Sequence, residues 1–410
     1  MKATVDFDVA ICGGGMVGAT LAALLLAEPS LRDLRIALIE AHVPSPPDDE
    51  VNIRVSAVSR ASQRILTRAG AWQLLRPAQC CPYGDMVVWD ALSKVDSDDA
   101  LRFSASNLGE PDLGHIIANN CLQWAAWEAA RHERVTCFAA ELTSITLNPE
   151  AANVVLADGR RFTALLVVGA DGARSVSRSC VGITARVRPY QQTALVTHVR
   201  TECLHQHTAW QRFLPRGPIA LLPLNDGRSS IVWTTTPEHA EELLQLDEAG
   251  LAMHIAAAAD HVLGEVSVAA SRAAFPLQLA QVDEYCRHRF VLVGDAAHSM
   301  HPLAGQGVNL GFMDVASLAQ VLGDARQAGA SIETLCELRV LRRYERWRKT
   351  ENTFALGLVD TLNRLFSNDR QDAGLLRRTG LRAVQKLPLA KRMLMLRALG
   401  VAGETPRMVG

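Results

Sequence analysis

The chain has 410 residues, of which 49% are hydrophobic, and a formal charge of -1. That length supports a large core or two domains, and the near-zero charge gives no electrostatic reason to expect nucleic acid as a partner. The nine cysteines include no C-x-x-C pair, and Cys80 and Cys81 are adjacent. This is a poor framework for disulfides or a metal centre, so a reducing, cytoplasmic setting is expected. An apolar strand starts within a few residues of Met1, so no secretory signal is expected. No apolar run reaches the ~18–20 residues of a membrane span.

Val5 to Cys12 reads as a buried strand. Gly13-Gly14-Gly15-Met16-Val17-Gly18 follows, then a helix over Ala19 to Glu28, then a second strand from Leu34 to Ile39 that ends at Glu40. This is G-x-G-x-x-G in the strand–turn–helix–strand–acid context that a dinucleotide site requires. Gly13 is expected to make the tight turn, Gly15 to let the backbone approach a pyrophosphate, and Gly18 to let the helix pack on the strand. Glu40 lies about 20 residues beyond the last glycine, where a carboxylate accepts hydrogen bonds from ribose hydroxyls. The fingerprint by itself leaves NAD and FAD open.

Residues 55–75 predict a helix with Ala61, Ile65, Leu66 and Ala69 on one face, and Ile117 to Arg131 predict another. Val154 to Val168 reads as a hairpin around Asp158-Gly159 that runs into a buried strand ending at Gly169-Ala170-Asp171-Gly172. Alternating segments at Ala194–Arg200, Ala209–Phe213, Ile219–Pro223 and Ser229–Thr234, with the turn Asn225-Asp226-Gly227, predict an antiparallel sheet. A helix near Glu238–Leu246 follows. Val291-Leu292-Val293 is a further apolar strand ending in Gly294-Asp295. A turn through Pro302 and Gly305 comes next, and a long amphipathic helix begins at Gly307. Its N-terminus aims backbone N–H groups and the positive end of the helix dipole into the turn. That suits an electron-rich, sometimes anionic ring such as a reduced flavin.

The three motifs in this order, with Arg54-Val-Ser-Ala, Pro302-Leu-Ala-Gly-Gln-Gly-Val-Asn-Leu-Gly-Phe, Leu341-Arg-Arg-Tyr344-Glu and Phe366-Ser-Asn, resemble the class A flavoprotein aromatic hydroxylases. They are most similar to the ubiquinone-biosynthesis hydroxylases of the UbiH/UbiF/VisC type. The resemblance spans almost the whole chain and weakens after about residue 370. It implies a Rossmann-like α/β FAD-binding domain of para-hydroxybenzoate-hydroxylase type, an inserted antiparallel-sheet substrate domain and a helical C-terminus. The expected division is 1–75, 106–187 and 285–350 for the discontinuous FAD domain, 76–105 and 188–284 for the substrate domain, and 351–410 for the C-terminal segment.

By the same resemblance, FAD is the cofactor and no second nucleotide-binding domain is needed for NAD(P)H. Gly13, Gly15 and Gly18 cradle the pyrophosphate and Glu40 holds the adenosine ribose. Arg54 reaches the phosphate region, and Asp171 serves FAD and the reductant. Asp295 holds the ribitol, and the turn containing Pro302, Gly305, Gln306, Gly307, Val308 and Asn309 lies beside the isoalloxazine. Some relatives carry an arginine in the helix containing Asn119-Asn120-Cys121-Leu122-Gln123. This chain has none there, which leaves Gln123 as a weaker substitute. The implied reaction hydroxylates the ring of a polyprenylated phenol or quinol with NAD(P)H and O2, through a C4a-hydroperoxyflavin. A hydroxylase of a small soluble phenol and a non-catalytic flavoprotein subunit of a biosynthetic complex are the alternatives.

No residue announces itself as the catalytic base. Trp210, Phe213, Leu221, Leu222, Pro223 and Trp233 are candidates for an apolar roof. His298 and His301 lack a third ligand, so no metal is expected, and His298 is expected to orient the turn through a hydrogen bond. Residues 375–410 carry eight basic residues against one acid, Glu404, a net charge of +7, interleaved with leucines. Such a segment either touches an anionic membrane face or a partner protein of the pathway, or packs on its own domain.

Overall fold

The computed structural model describes residues 5–48, 51–300, 307–366, 392–393, 395–397 and 399–409. In chain order the first elements are β1 (Phe7–Cys12), α1 (Met16–Ala27), β2 (Ile36–Ile39), β3 (Val55–Ser59), α2 (Arg60–Arg68), β4 (Cys80–Tyr83), β5 (Asp85–Asp90) and β6 (Leu101–Ser104). Next come β7 (Gly114–Ala118), α3 (Asn119–Ala129), β8 (Val135–Phe138), β9 (Leu142–Leu147), β10 (Ala152–Leu156), β11 (Arg161–Gly169) and α4 (Val176–Cys180). The middle of the chain holds β12 (Ala185–Thr201), β13 (Thr208–Leu214), β14 (Gly217–Pro223), β15 (Ser229–Thr235), α5 (Pro237–Gln245), α6 (Glu248–Ala258), β16 (Val266–Val268) and β17 (Ala273–Val282). The last are β18 (Cys286–Arg287), β19 (Phe290–Leu292), β20 (His298–Ser299), α7 (Gly307–Gln327), α8 (Ile332–Leu335) and α9 (Leu338–Phe366).

β1 is the centre of the first sheet, whose order is β18-β19-β11-β1-β2-β8 with the β9–β10 hairpin laid against β11. β1 pairs in parallel with β2 and β11, and β11 with β19. Strands buried on both faces read as continuous apolar runs, as these do. The register sets Cys12 against both Ile39 and Gly169, and Gly169 against Leu292. All four strands therefore end at one level. One face is covered by α1, which is apolar around its circumference and lies against α3 and α7.

A second sheet, β20-β17-β12-β15-β14-β13-β5-β6, stands over the carboxyl edge of the first, and the small sheet β3-β7-β4 lies between them. The outer face of the large sheet is closed by α5 and α6 through Leu195, Ile219, Leu221, Ile231 and Trp233 against Leu243, Leu251 and Ile255.

Two expectations need correction. Residues 55–59 are a strand paired with β7, not the start of a helix. The helix begins at Arg60, where the Ser59 hydroxyl accepts the Ser62 N–H and sets the boundary. Likewise α3 starts at Asn119, because 114–118 is a strand. In both places a short buried apolar run is equally compatible with strand and helix, and sheet pairing decides.

The basic C-terminal segment up to 391 lies outside the described residues, so the expectation for that stretch stays where the sequence left it. The described part beyond it packs on its own molecule. Met395 and Leu399 are buried in the apolar layer with Ala57, Ile116, Ala220 and Leu222. The Ala61 N–H donates to the Leu399 carbonyl at 3.1 Å, and the Trp347 Nε1–H donates to the Glu404 carbonyl at 2.9 Å.

Candidate cofactor and substrate site

Three backbone hydrogen bonds extend the parallel ladder past the strand ends: Gly13 N–H to Ile39 O at 2.9 Å, Ala170 N–H to Cys12 O at 2.7 Å, and Val293 N–H to Gly169 O at 3.0 Å. The glycine loop, the Asp171 turn and the Asp295 turn therefore leave the sheet side by side, at the carboxyl edge where ligands of such sheets bind. Arg178 braces two of them, its Nη1 donating to the Ala296 carbonyl at 2.8 Å and its Nη2 to the Ala173 carbonyl at 3.0 Å.

The glycines divide the work as the fingerprint suggests. Gly13 has φ +105° and a Cβ there would lie 2.4 Å from the Ala170 oxygen; one on Gly18 would lie 1.9 Å from the Gly13 oxygen. Both are close-packing positions. A Cβ on Gly15 meets nothing within 4 Å. It faces open space at the N-terminus of α1, whose end carries no side-chain cap. Cys12 beside the loop is buried and its thiol is pushed up by that burial, so it acts as a small apolar residue rather than a nucleophile.

A cavity of about 490 Å³ opens at this edge. Among the sequence-derived site residues, Gly15, Arg54, Asp295, Gly307 and Val308 line it. Asn309 lies one residue beyond Val308 and is bonded to β3. Glu40 accepts the Gly14 N–H at 2.8 Å and the His42 N–H at 2.9 Å, and so stabilises the loop itself. The Asp171 carboxylate accepts from the Ser175 and Ser177 hydroxyls and the Ser177 N–H, holding the start of α4. Its neighbours Ala170, Gly172 and Ala173 supply the cavity wall. Gln123 is half-buried on α3 and is not among the lining residues; Asn119, at the start of that helix, is. Pro302, Gly305 and Gln306 lie outside the described residues, as does His301.

Asp295 presents its carboxylate to the cavity, exposed to that space yet enclosed by protein. Enclosure raises its pKa, opposed by His298 and Arg54. Arg54 sits over the Phe275 ring at 5.2 Å and brings the positive charge to the same wall. An acceptor, a cation, an open glycine backbone and a helix N-terminus around one apolar-walled space are the groups a ribityl, a diphosphate and a flavin ring call for. The residues present fit FAD.

The roof differs from expectation. None of Trp210, Phe213, Leu221, Leu222, Pro223 and Trp233 lines the cavity. Strand parity accounts for Trp210, Leu221 and Trp233, whereas Leu222 lies on the inner face in the layer with Ala220 and Met395. Val232 faces the cavity, so its neighbour Trp233 faces α5 and α6, with Leu221 on the same outer side and Trp210 packed against that cluster. The cavity wall is built from small side chains, Ala194, Val196 and Val232, and from the β17 segment Phe275 to Gln278.

Sequence reasoning also missed Asp314, on α7. It is fully buried, and its carboxylate accepts the Gly294 N–H at 3.0 Å and faces His298 Nε2 at 2.6 Å. Burial alone would raise its carboxyl, but His298 and Arg348 hold it down at about 2. His298 thus orients the turn through a hydrogen bond, as expected.

A family model described as FAD binding domain matches residues 6–349. The chain belongs to this FAD-binding family. Its cofactor is FAD, and its relatives are monooxygenases. The chain is 36% identical to "Ubiquinone biosynthesis monooxygenase COQ6, mitochondrial" of Xenopus tropicalis, over 95% of this chain and 92% of the relative. It is 35% identical to the "3-demethoxyubiquinol 3-hydroxylase" of Escherichia coli strain K12, over 96% of this chain and 98% of the relative. Among solved structures, p-nitrophenol 4-monooxygenase PnpA from Pseudomonas putida DLL-E4 superposes with a TM-score of 0.75 at 19% identity, covering 96% of this chain and 98% of that one. The last likeness establishes the fold. The resemblance to ubiquinone-biosynthesis hydroxylases read from the motifs stands.

Proposed function

We propose that this flavoprotein hydroxylates the aromatic ring of a polyprenylated phenol or quinol on the route to ubiquinone, using NAD(P)H and O2. The observation that carries this reading is a cavity in which the cofactor motifs meet an apolar wall of small side chains. The names of the relatives supply the substrate class.

Bound FAD supplies the redox chemistry, passing electrons from NAD(P)H to O2 so that one oxygen atom reaches the ring. The chain supplies position, charge and dryness. In this reading Gly13, Gly15 and Gly18 seat the diphosphate at the α1 N-terminus, Glu40 holds the ribose and Arg54 offsets phosphate charge. Asp295 accepts from ribityl hydroxyls. The turn containing Pro302, Gly305 and Gln306, with Gly307, Val308 and Asn309, flanks the ring, and Asp171 acts through the wall residues it positions. Ala194, Val196 and Val232 leave room for a planar ring and exclude water from the reacting oxygen. We assign the sheet that contains β12 and β15 to the substrate lobe and the β1 sheet to the cofactor lobe. A polyprenyl substrate also implies contact with a membrane face or with other enzymes of the pathway.

The roof assignment is tested by Val232→Trp, which fills the wall, beside Leu221→Ala on the opposite face. Val232→Trp is expected to retain FAD and lose substrate hydroxylation, while Leu221→Ala lowers stability and leaves KM unchanged. The reverse pattern would place the substrate elsewhere.

A further inference from the structure

A polar network lies behind the Gly294–Asp295 turn, and none of its side chains lines the cavity. Asp314 Oδ2 accepts from Gly294 N–H and His298 Nε2, at 3.0 and 2.6 Å. Its Oδ1 accepts from Arg348 Nε and Asn352 Nδ2, at 2.9 and 3.0 Å. Arg348 also donates through Nη2 to Asn352 Oδ1 at 2.7 Å. Four donors fill the two oxygens. Asp314 and Asn352 are 0% exposed and Arg348 is 2% exposed. Arg348 and Asn352 are one turn apart on α9, so that helix is tied through Asp314 to α7 and to the cofactor turn.

Such a pair is weak evidence for stability, because desolvation offsets the attraction and apolar replacements are often as stable. Its position is informative. The Gly294 N–H is held on one side of a tight turn with φ +59°, and Asp295 projects into the cavity from the next residue. Inside a protein a charge acts over longer range than in water.

We propose that Asp314 and Arg348 are positioning residues that fix the Asp295 turn and set the charge behind the flavin end of the site, so that they tune the reduction potential of the bound cofactor. The proposal rests on the reading that the Asp295 turn faces the flavin end of FAD. Reduced flavin carries more negative charge than oxidised flavin. Asp314→Asn leaves the guanidinium uncompensated and favours the reduced form. Arg348→Gln leaves the carboxylate uncompensated and disfavours it. The double variant is neutral again. A pair with only a packing role loosens the site in both single variants and shows no reversal of sign.

The test is the flavin midpoint potential of each purified holoenzyme, equilibrated with a reference dye in the absence of aromatic substrate, with flavin content and circular dichroism measured alongside. Each single variant is expected to change the reduced-to-oxidised affinity ratio about tenfold, about 30 mV for a two-electron couple. The shift is upward for Asp314→Asn and downward for Arg348→Gln, and the double variant returns to the wild-type value. Shifts of the same sign, or none beyond twofold, overturn the proposal. Loss of flavin from a folded double variant also overturns it. Should Asp314→Asn not fold, Arg348→Lys against Arg348→Gln carries the test: Lys keeps the charge and the potential, Gln lowers it, and equal potentials overturn the proposal. No substrate takes part, so failure of the aromatic-substrate reading leaves this result intact. A folded wild-type protein that binds no FAD would instead sink the flavin reading itself.

Discussion

Asn309 on α7 is bonded at two points to the end of β3: its Oδ1 accepts the Ser59 N–H at 3.0 Å, and its Nδ2 donates to the Ala57 carbonyl at 2.8 Å. One side chain thus ties the start of α7 to the strand that follows Arg54. Asn309→Ala leaves a backbone donor and an acceptor unpaired, at a cost of about 1–3 kcal/mol for each buried group. We expect a lower urea midpoint for the apoprotein and weaker FAD binding. Asn309→Asp keeps the acceptor and should fall between the two.

Two of the fingerprint glycines, Gly15 and Gly18, should separate cleanly under mutation. Gly18→Ala places a methyl 1.9 Å from the Gly13 oxygen and is expected to unfold the loop, lowering both apoprotein stability and flavin content. Gly15→Ala meets no protein atom within 4 Å and should leave the apoprotein as stable as wild type. Its methyl enters the space assigned to the diphosphate, so FAD affinity falls, and Gly15→Val should give colourless protein. Thermal melts with and without FAD distinguish the two positions.

Enclosure holds the Asp295 carboxyl above its ordinary 3.8. The folded state therefore binds this proton more tightly than the unfolded state. The ionised carboxylate costs stability at neutral pH, and the cost disappears as the pH falls below the unfolded value. Asp295→Asn should make the apoprotein more stable at pH 7, with the gain gone near pH 3, while FAD affinity drops. A variant less stable than wild type at pH 7 would show that Asp295 is held by the fold and not kept for the cofactor.

The chain end offers a separate test. Met395 and Leu399 are 4% and 2% exposed, in one apolar layer with residues of the roof sheet. Removing such side chains costs about 2–5 kcal/mol each. Deletion of 392–410 should lower stability and flavin retention, because Ala61 and Trp347 lose their partners at Leu399 and Glu404. Full flavin retention, with loss only of binding to anionic vesicles, would favour a membrane role for this stretch.

The cofactor end was readable because its requirements are local. A glycine turn, a strand and an acid at fixed spacing produce the same geometry wherever they occur, and parallel pairing brought Gly13, Asp171 and Asp295 to one edge. The cavity wall was harder to read because alternation says that Val232 and Trp233 face opposite sides but not which side is inner. Trp233 and Trp210 went under α5 and α6, while Ala194, Val196 and Val232 faced the cavity. Asp314 gave no local signal, since its partners lie 16 to 38 residues away and come together only when α7 packs on α9. The start of α2 was misplaced because the apolar run Val55–Val58 suits either period, and its partner strand begins only at Gly114.

The most direct test of the proposed function is turnover under ¹⁸O2. Purified holoenzyme is supplied with NAD(P)H and a polyprenylated phenol or demethoxyquinol, and the product is weighed by mass spectrometry. We predict one ¹⁸O atom on the aromatic ring for each NAD(P)H oxidised. An unlabelled ring, or NAD(P)H oxidation that yields only hydrogen peroxide with every polyprenylated ring offered while a small soluble phenol is hydroxylated, would contradict it.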